Sequence, residues 1–257
     1  MTSNQNINPW LPYAKSSPRA RLRLFCFAYA GKGASLFRSW ASKLPAEIEV
    51  CPIELPGRGS RIMEPPFTRL TPLVETLTQI LLPYLTMPFA FFGHSMGGLV
   101  SFELARQLRR QCIAQPAHLL ISAYRAPQLS DSHSPIHELP DTQFMGKVRL
   151  LGGMPQDILG NTELMHLVLP VLRTDFALCE TYIYKHEEPF SCPISAFGGL
   201  QDSGVSQSQL EAWREQTSDT FSLHMCAGDH FYLHTLEESL LRTITQKLAP
   251  YLNRMVI

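Results

Sequence analysis

Hydrophobic positions along this chain alternate between two kinds of pattern. Leu22–Ala28 is a short, nearly continuous apolar run, the mark of a strand buried on both faces. A second such run lies around Ile48–Ile53, after a helical stretch near Leu36–Lys43. Leu70, Leu73, Val74, Leu77, Ile80, Leu81 and Tyr84 then recur at spacings of three and four, one face of a helix. Phe89–Phe92 predicts a third strand, Met96, Leu99, Val100, Leu104 and Leu108 the next helix, and Ala117–Ser122 a fourth strand. Between about 125 and 190 the alternation stops. That stretch is helical in pattern with no evident strand, and Leu164–Tyr184 is apolar on more than one face. Strand–helix order resumes with Cys192–Phe197, a helix near Gln207–Gln216, a strand at Phe221–Met225, and a last helix carrying Leu236, Leu240, Leu241, Ile244 and Leu248. Repeated units of this kind predict an α/β fold with a doubly wound, mostly parallel sheet, and the segment at about 125–190 reads as a helical lid inserted over it. Residues 1–18, with three prolines and a Ser/Asn/Gln bias, read as a loose leader, which leaves 19–257 as a single domain.

Composition narrows the class. A chain of 257 residues with 45% apolar side chains can build its core without metal or disulfide staples. Lys and Arg number 22 against 22 Asp and Glu, and that balance argues against a nucleic-acid partner. The cysteines, at 26, 51, 112, 179, 192 and 226, form no CxxC and no close pair, as in a reducing compartment. The basic stretch Ser17–Arg23 followed by Leu24–Ala30 mimics a signal peptide, but its apolar part is too short and runs into Gly31-Lys32-Gly33. No apolar run reaches membrane-span length, so a cytoplasmic protein is expected.

The chemistry concentrates in Gly93-His94-Ser95-Met96-Gly97-Gly98, which matches G-x-S-x-G between a buried strand and an amphipathic helix. A serine on so tight a turn is presented as a nucleophile, and glycines two residues either side avoid a clash. It needs a base, and the base an orienting carboxylate, in the chain order Ser, acid, His. His230 follows the Phe221–Met225 strand through Cys226-Ala-Gly-Asp, a loop at the carboxyl end of a strand, where sites of open α/β sheets gather. His224 within that strand, His234 at the start of the last helix, and His133, His137, His166 and His186 in the insertion fit packing or surface roles better. For the acid, the loop after Ala117–Ser122 has no carboxylate, whereas Gly198-Gly-Leu-Gln-Asp202 ends in one. Asp202 is therefore preferred, with Asp229 as the alternative. An oxyanion hole needs two aimed N–H groups: Met96 at the helix start and Ala30 in the loop after the first strand. His133–His137 and His230–His234 have i, i+4 spacing but no HExxH, so no metal is expected; the 31–33 segment is neither a P-loop nor G-x-G-x-x-G, so no cofactor is expected.

Over about residues 20–250 the sequence resembles the stand-alone type II thioesterases of polyketide, nonribosomal peptide and fatty acid synthesis. The resemblance rests on Phe25-Cys-Phe-Ala-Tyr-Ala-Gly, Leu55-Pro-Gly-Arg-Gly-Ser-Arg with Glu64-Pro-Pro, Phe91-Phe-Gly-His-Ser-Met-Gly-Gly, Leu151-Gly-Gly-Met-Pro, Leu172-Arg-Thr-Asp-Phe, Gly198-Gly-Leu-Gln-Asp and Gly228-Asp-His-Phe-Tyr-Leu. It implies the α/β-hydrolase fold, with nucleophile Ser95, acid Asp202, base His230, and oxyanion donors Ala30 and Met96. Two positions depart from the family pattern: Ala28 stands where a proline is usual, and Lys32 where a second glycine is usual.

The implied reaction is hydrolysis of acyl thioesters on the phosphopantetheine arm of an acyl or peptidyl carrier protein of a modular synthase, editing short or aberrant groups. No further cofactor is implied, small acyl thioesters are alternative substrates, and a monomer is expected. In the lid, Leu164, Met165, Leu167, Val168, Leu169, Val171, Leu172 and Phe176 exceed what one helix face needs. The surplus, with Leu167, Val168, Leu172 and Phe176 as candidate contacts, either lines an acyl chamber or packs lid helices together. Lys32 either meets an anionic substrate or carrier surface or is an ordinary solvated lysine. Competing readings are a general carboxylesterase, a product-releasing thioesterase, and a non-catalytic carrier-binding protein.

Overall fold

Six strands, β1 (Leu22–Phe27), β2 (Ile48–Pro52), β3 (Phe89–His94), β4 (His118–Ser122), β5 (Ile194–Gly199) and β6 (Phe221–Cys226), form one sheet in the order β2-β1-β3-β4-β5-β6. Every pairing is parallel. The structure is a computed structural model and describes residues 8–14, 16–130, 134–150 and 162–252. Among these the helices are α1 (Trp40–Lys43), α2 (Leu70–Leu81), α3 (Met96–Arg110), α4 (Asp141–Leu150), α5 (Thr162–Glu180), α6 (Gln207–Glu211), α7 (Tyr232–Thr235) and α8 (Glu237–Leu252).

The apolar runs become strands because both faces of the sheet are covered. Phe25, Phe27, Phe89 and Phe91 pack into the layer of α2 and α3, while Leu24, Cys26, Ala90 and Phe92 face Trp40 and α8. Phe25 lies opposite Phe91 in register, their rings edge-to-face with centroids 5.9 Å apart. A one-residue slip would send each of these rings to the wrong face, so burial alone fixes the pairing of β1 with β3. The chain steps from β1 outward to β2, then returns across β1 to β3 and continues the other way. That reversal puts a crevice at the carboxyl ends of β1 and β3, the usual ligand position in such sheets.

Three expectations need adjustment. The helical stretch at Leu36–Lys43 divides into a 3₁₀ turn, Ala34–Phe37, and α1; that at Gln207–Gln216 divides into α6 and a 3₁₀ stretch, Ala212–Gln216. Residues 8–14 are not a loose leader. Trp10 and Leu11 are buried in the core, the Arg61 guanidinium stacks 3.9 Å from the Trp10 ring, and the Trp10 carbonyl accepts Glu54 N–H at 2.9 Å. Polar composition hid one large aromatic whose burial outweighs the entropy of ordering a few residues.

In the inserted segment, α4 packs on α5 through Phe144, Met145, Val148 and Leu172. His133 and the Leu151–Pro155 motif lie outside the described residues, as do the side chains of Leu164 and His166. At the amino-terminal end of the sheet a polar row crosses three strands: His118 Nε2 to Ser195 Oγ, 2.8 Å, and Ser195 Oγ to Ser222 Oγ, 2.9 Å. Among the described residues no helix is long and apolar enough to cross a membrane.

Candidate active site

Ser95 sits between β3 and α3 with φ 53° and ψ −121°, a conformation that costs a non-glycine residue about 1–3 kcal/mol. Its neighbours make that strain unavoidable. A Cβ on Gly93 would lie 2.1 Å from the Gly97 carbonyl oxygen, and one on Gly97 2.1 Å from that of Phe27. The turn is held by Ser95 N–H donating to the Ser122 carbonyl and Gly98 N–H to that of Ser95, both at 2.7 Å. The serine is half-exposed at the carboxyl edge of the sheet, and Met96 opens α3 at the positive end of its dipole.

The loops after β5 and β6 bring the acid and base candidates together. Gly199 permits this: a Cβ there would meet the Asp229 and Gly228 carbonyl oxygens at 2.3 and 2.4 Å. His230 Nδ1 lies 2.8 Å from Asp202 Oδ2. Asp202 Oδ1 accepts the Gly204 and Val205 N–H groups at 2.8 and 3.1 Å. The Asp202 side chain is 1% exposed and that of His230 21%. A carboxylate already held by two backbone donors takes the Nδ1 proton as its third, which leaves Nε2 of His230 as a free acceptor. Asp229 instead turns back on its own chain, accepting Phe231 N–H at 2.8 Å. No hydrogen bond joins Ser95 to His230 among the described contacts; it is the His94 ring, next to Ser95, that lies against His230, centroids 5.4 Å apart.

Of the other described histidines, His186 is exposed, and the rest are engaged elsewhere. His234 shares a hydrogen bond with the Tyr29 hydroxyl, His224 with Ser222, and His137 with Glu180. His94 is fully buried and bonds Ser122 Oγ, which in turn bonds the Tyr232 hydroxyl at 2.5 Å. Burial, and then the neighbouring His230, hold the His94 pKa well below the usual histidine value, which favours the neutral ring beside His230.

After β1 the chain makes a tight turn in which Lys32 N–H donates to the Tyr29 carbonyl at 3.0 Å. Gly31 takes its third position with φ 78°, where glycine is at ease. Among the described residues neither Ala30 N–H, outside any strand or helix, nor Met96 N–H, in a first helical turn, has a hydrogen-bond partner outside regular structure. Gly31 N–H donates to Asp175 Oδ2 on α5 at 2.7 Å, and Asp175 is paired with Arg58. From the sequence, Arg58 reads as a structural residue of the Pro-Gly-Arg loop and Asp175 has no assigned role, though they stand in the motifs Leu55–Arg61 and Leu172–Phe176; no local pattern links positions 117 apart. Lys32 is half-buried, and its charge is the second cause, after burial, that lowers the His234 pKa.

Of the candidate substrate contacts, Val168, Leu172 and Phe176 join the α4–α5 cluster that rests on Ala30, with Phe176 edge-on to Phe144 at 5.5 Å. Leu167 remains exposed. Phe27, Lys32, Ile53, Leu55, Met96 and Val100 are among the residues that line a narrow crevice. The described residues include no cluster of three or more His, Cys, Asp or Glu placed to hold a metal.

A family model described as Thioesterase domain matches residues 22–248. The chain is 47% identical over 246 residues to a Brevibacillus parabrevis protein named linear gramicidin dehydrogenase LgrE, covering 95% of this chain and 94% of that one. RedJ, a thioesterase from the prodiginine pathway of Streptomyces coelicolor, superposes with a TM-score of 0.84 at 37% identity over 93% of this chain and 98% of its own. BorB, a type II thioesterase from the borrelidin biosynthetic cluster, gives 0.83 at 33% identity over 94% and 96%.

Proposed function

The chain belongs to the thioesterase family, and from that membership we propose how its site works and on what. It is a type II thioesterase that releases acyl groups in nonribosomal peptide or polyketide assembly. The observation that carries the mechanism is the Asp202–His230 hydrogen bond beside a serine held at positive φ.

In our reading, His230 Nε2 takes the Ser95 proton as Oγ attacks the thioester carbonyl. The oxyanion is met by the N–H groups of Ala30 and Met96, and Asp202 stabilises the imidazolium. His230 then returns the proton towards the departing sulfur. A thiol with a pKa of about 8.5 needs less acid assistance than an amine. Water, deprotonated by His230, attacks the acyl-Ser95 ester, and the acid leaves. The substrate is an acyl group on the phosphopantetheine arm of a carrier protein, and α4 and α5 form the lid over it. The word dehydrogenase in the name of one relative belongs to that protein; in this chain the 31–36 segment departs from a G-x-G-x-x-G fingerprint, with Leu36 where its last glycine would fall.

The test is steady-state hydrolysis of acetyl, butyryl and decanoyl groups, each on free pantetheine and on an acyl carrier protein. Faster turnover on the carrier is expected, and Ser95→Ala should lower kcat by about 10⁶-fold. Near-native hydrolysis by Ser95→Ala would remove the serine from the mechanism. Equal turnover of free thioesters and oxygen esters would make the protein a general esterase.

A further inference from the structure

Two sequence motifs that the triad leaves unexplained meet at one buried point beside it. Arg58 and Asp175 form a two-pronged ion pair, Nη1 to Oδ2 and Nη2 to Oδ1, each 2.8 Å. Both side chains are buried. The pair closes on the turn after β1. Asp175 Oδ2 also accepts Gly31 N–H at 2.7 Å, and Arg58 Nη1 reaches the Lys32 carbonyl at 3.3 Å. Leu172, one turn earlier on α5, seals the same spot: a Cβ on Gly31 would lie 2.6 Å from its Cδ2. At the far end of the loop, the buried Glu54 carboxylate accepts Ala34 N–H at 3.2 Å.

A buried ion pair is a poor source of net stability, because desolvation cancels most of the attraction. What it supplies here is direction. Gly31 N–H belongs to the peptide that joins Ala30 to Gly31, so anchoring it fixes the plane of that peptide and, through the turn, the aim of the Ala30 N–H. We propose that Asp175 and Arg58 are positioning residues that aim the Ala30 N–H at the forming oxyanion. The oxyanion hole is then complete only while α5 is docked, and the lid helix itself switches the chemistry on. This rests on the reading of Ala30 as an oxyanion donor.

Two conservative variants separate aim from stability. Asp175→Asn has one acceptor oxygen in place of two, so its NH₂ must face either an Arg58 prong or Gly31 N–H and the anchor is lost or displaced; Arg58→Lys keeps the charge but loses the fork. Each is assayed for kcat and KM on butyryl-pantetheine, for melting temperature, and for inhibition by butylboronic acid. In that adduct Ser95 Oγ bonds to boron as its proton passes to His230, and the resulting tetrahedral anion needs the same N–H donors. Expected are a fall in kcat of about 100-fold with KM within about threefold, and a boronate Ki that rises by the factor by which kcat/KM falls. In folded variants, a kcat within about threefold of the parent, or a kcat loss with an unchanged boronate Ki, overturns the proposal. If Asp175→Asn fails to fold, Arg58→Lys carries the test; failure of both assigns the pair to stability and overturns it too. A parent protein that neither hydrolyses the thioester nor binds the boronate would instead remove the triad reading, a distinct result.

Discussion

Asp202→Asn replaces one carboxylate oxygen by an NH₂ group and leaves the shape alone. Two of the three bonds to Asp202 come from the Gly204 and Val205 N–H groups, and both reach Oδ1. The asparagine carbonyl keeps them by occupying that position, which forces its NH₂ towards His230 Nδ1, 2.8 Å from Oδ2 in the parent. Nδ1 must then accept, the ring proton moves to Nε2, and the nitrogen proposed to take the Ser95 proton becomes a donor with no capacity to do so. The expected loss is about 10⁴-fold in kcat near neutral pH, about 5 kcal/mol of transition-state stabilisation. Stability should hardly change, because two bonds persist and the third only reverses, a shift of about 1 kcal/mol or less. Steady-state hydrolysis of butyryl-pantetheine beside a thermal melt reads both quantities. A folded variant with kcat within about tenfold of the parent would show that Asp202 does not set the tautomer of His230.

Acid stability offers another check. Burial, and then Lys247, push the His118 pKa down to about 4, so the unfolded chain takes up this proton below about pH 6.5 while the folded protein does not. Stability from this group is whole above about pH 6.5 and is lost as pH falls to about 4, on the order of 3 kcal/mol. Urea melts of the parent and His118→Asn across that window should differ in slope, and identical slopes would refute the assignment. Trp10→Ala should cost about 3–5 kcal/mol, lowering the melting temperature by about 10 °C. An unchanged melting temperature would return residues 8–14 to the status of a loose leader.

Much of the fold was legible because its strands are buried on both faces. Leu22–Phe27 and Phe89–His94 stand out as apolar runs, and their flanking helices show single stripes. The elbow was legible because its glycines are imposed by backbone contacts at 2.1 Å, which leave no freedom of residue type. The proximity of residues 202 and 230 followed from topology, since the loops after adjacent parallel strands open on the same edge. What stayed hidden has no period. Nothing local in Pro-Gly-Arg announces a partner on α5, and nothing around Asn8-Pro9-Trp10 distinguishes a core tryptophan from an exposed one. The crossing of Ser195 with His118 was also invisible, because a serine inside an apolar strand reads as a gap until its cross-strand neighbour is known.

The anchoring of the Tyr29–Lys32 turn bears on how the protein is made. Gly31 N–H is bound by a residue 144 positions downstream, and Arg58 by the same residue 117 positions away. As the chain leaves the ribosome, pairing of β1 to β3 and the serine turn can begin before Asp175 exists, because those contacts are nearer in sequence, while α8, which covers one face, comes later still. Such a nascent domain would carry Ser95 with an unanchored turn beside it and, until residue 230 emerges, without the base proposed for it. On the proposed mechanism, hydrolytic competence therefore waits until synthesis has passed both the insertion and the final strand. On that mechanism, the same long loop closures would also keep a half-made hydrolase silent.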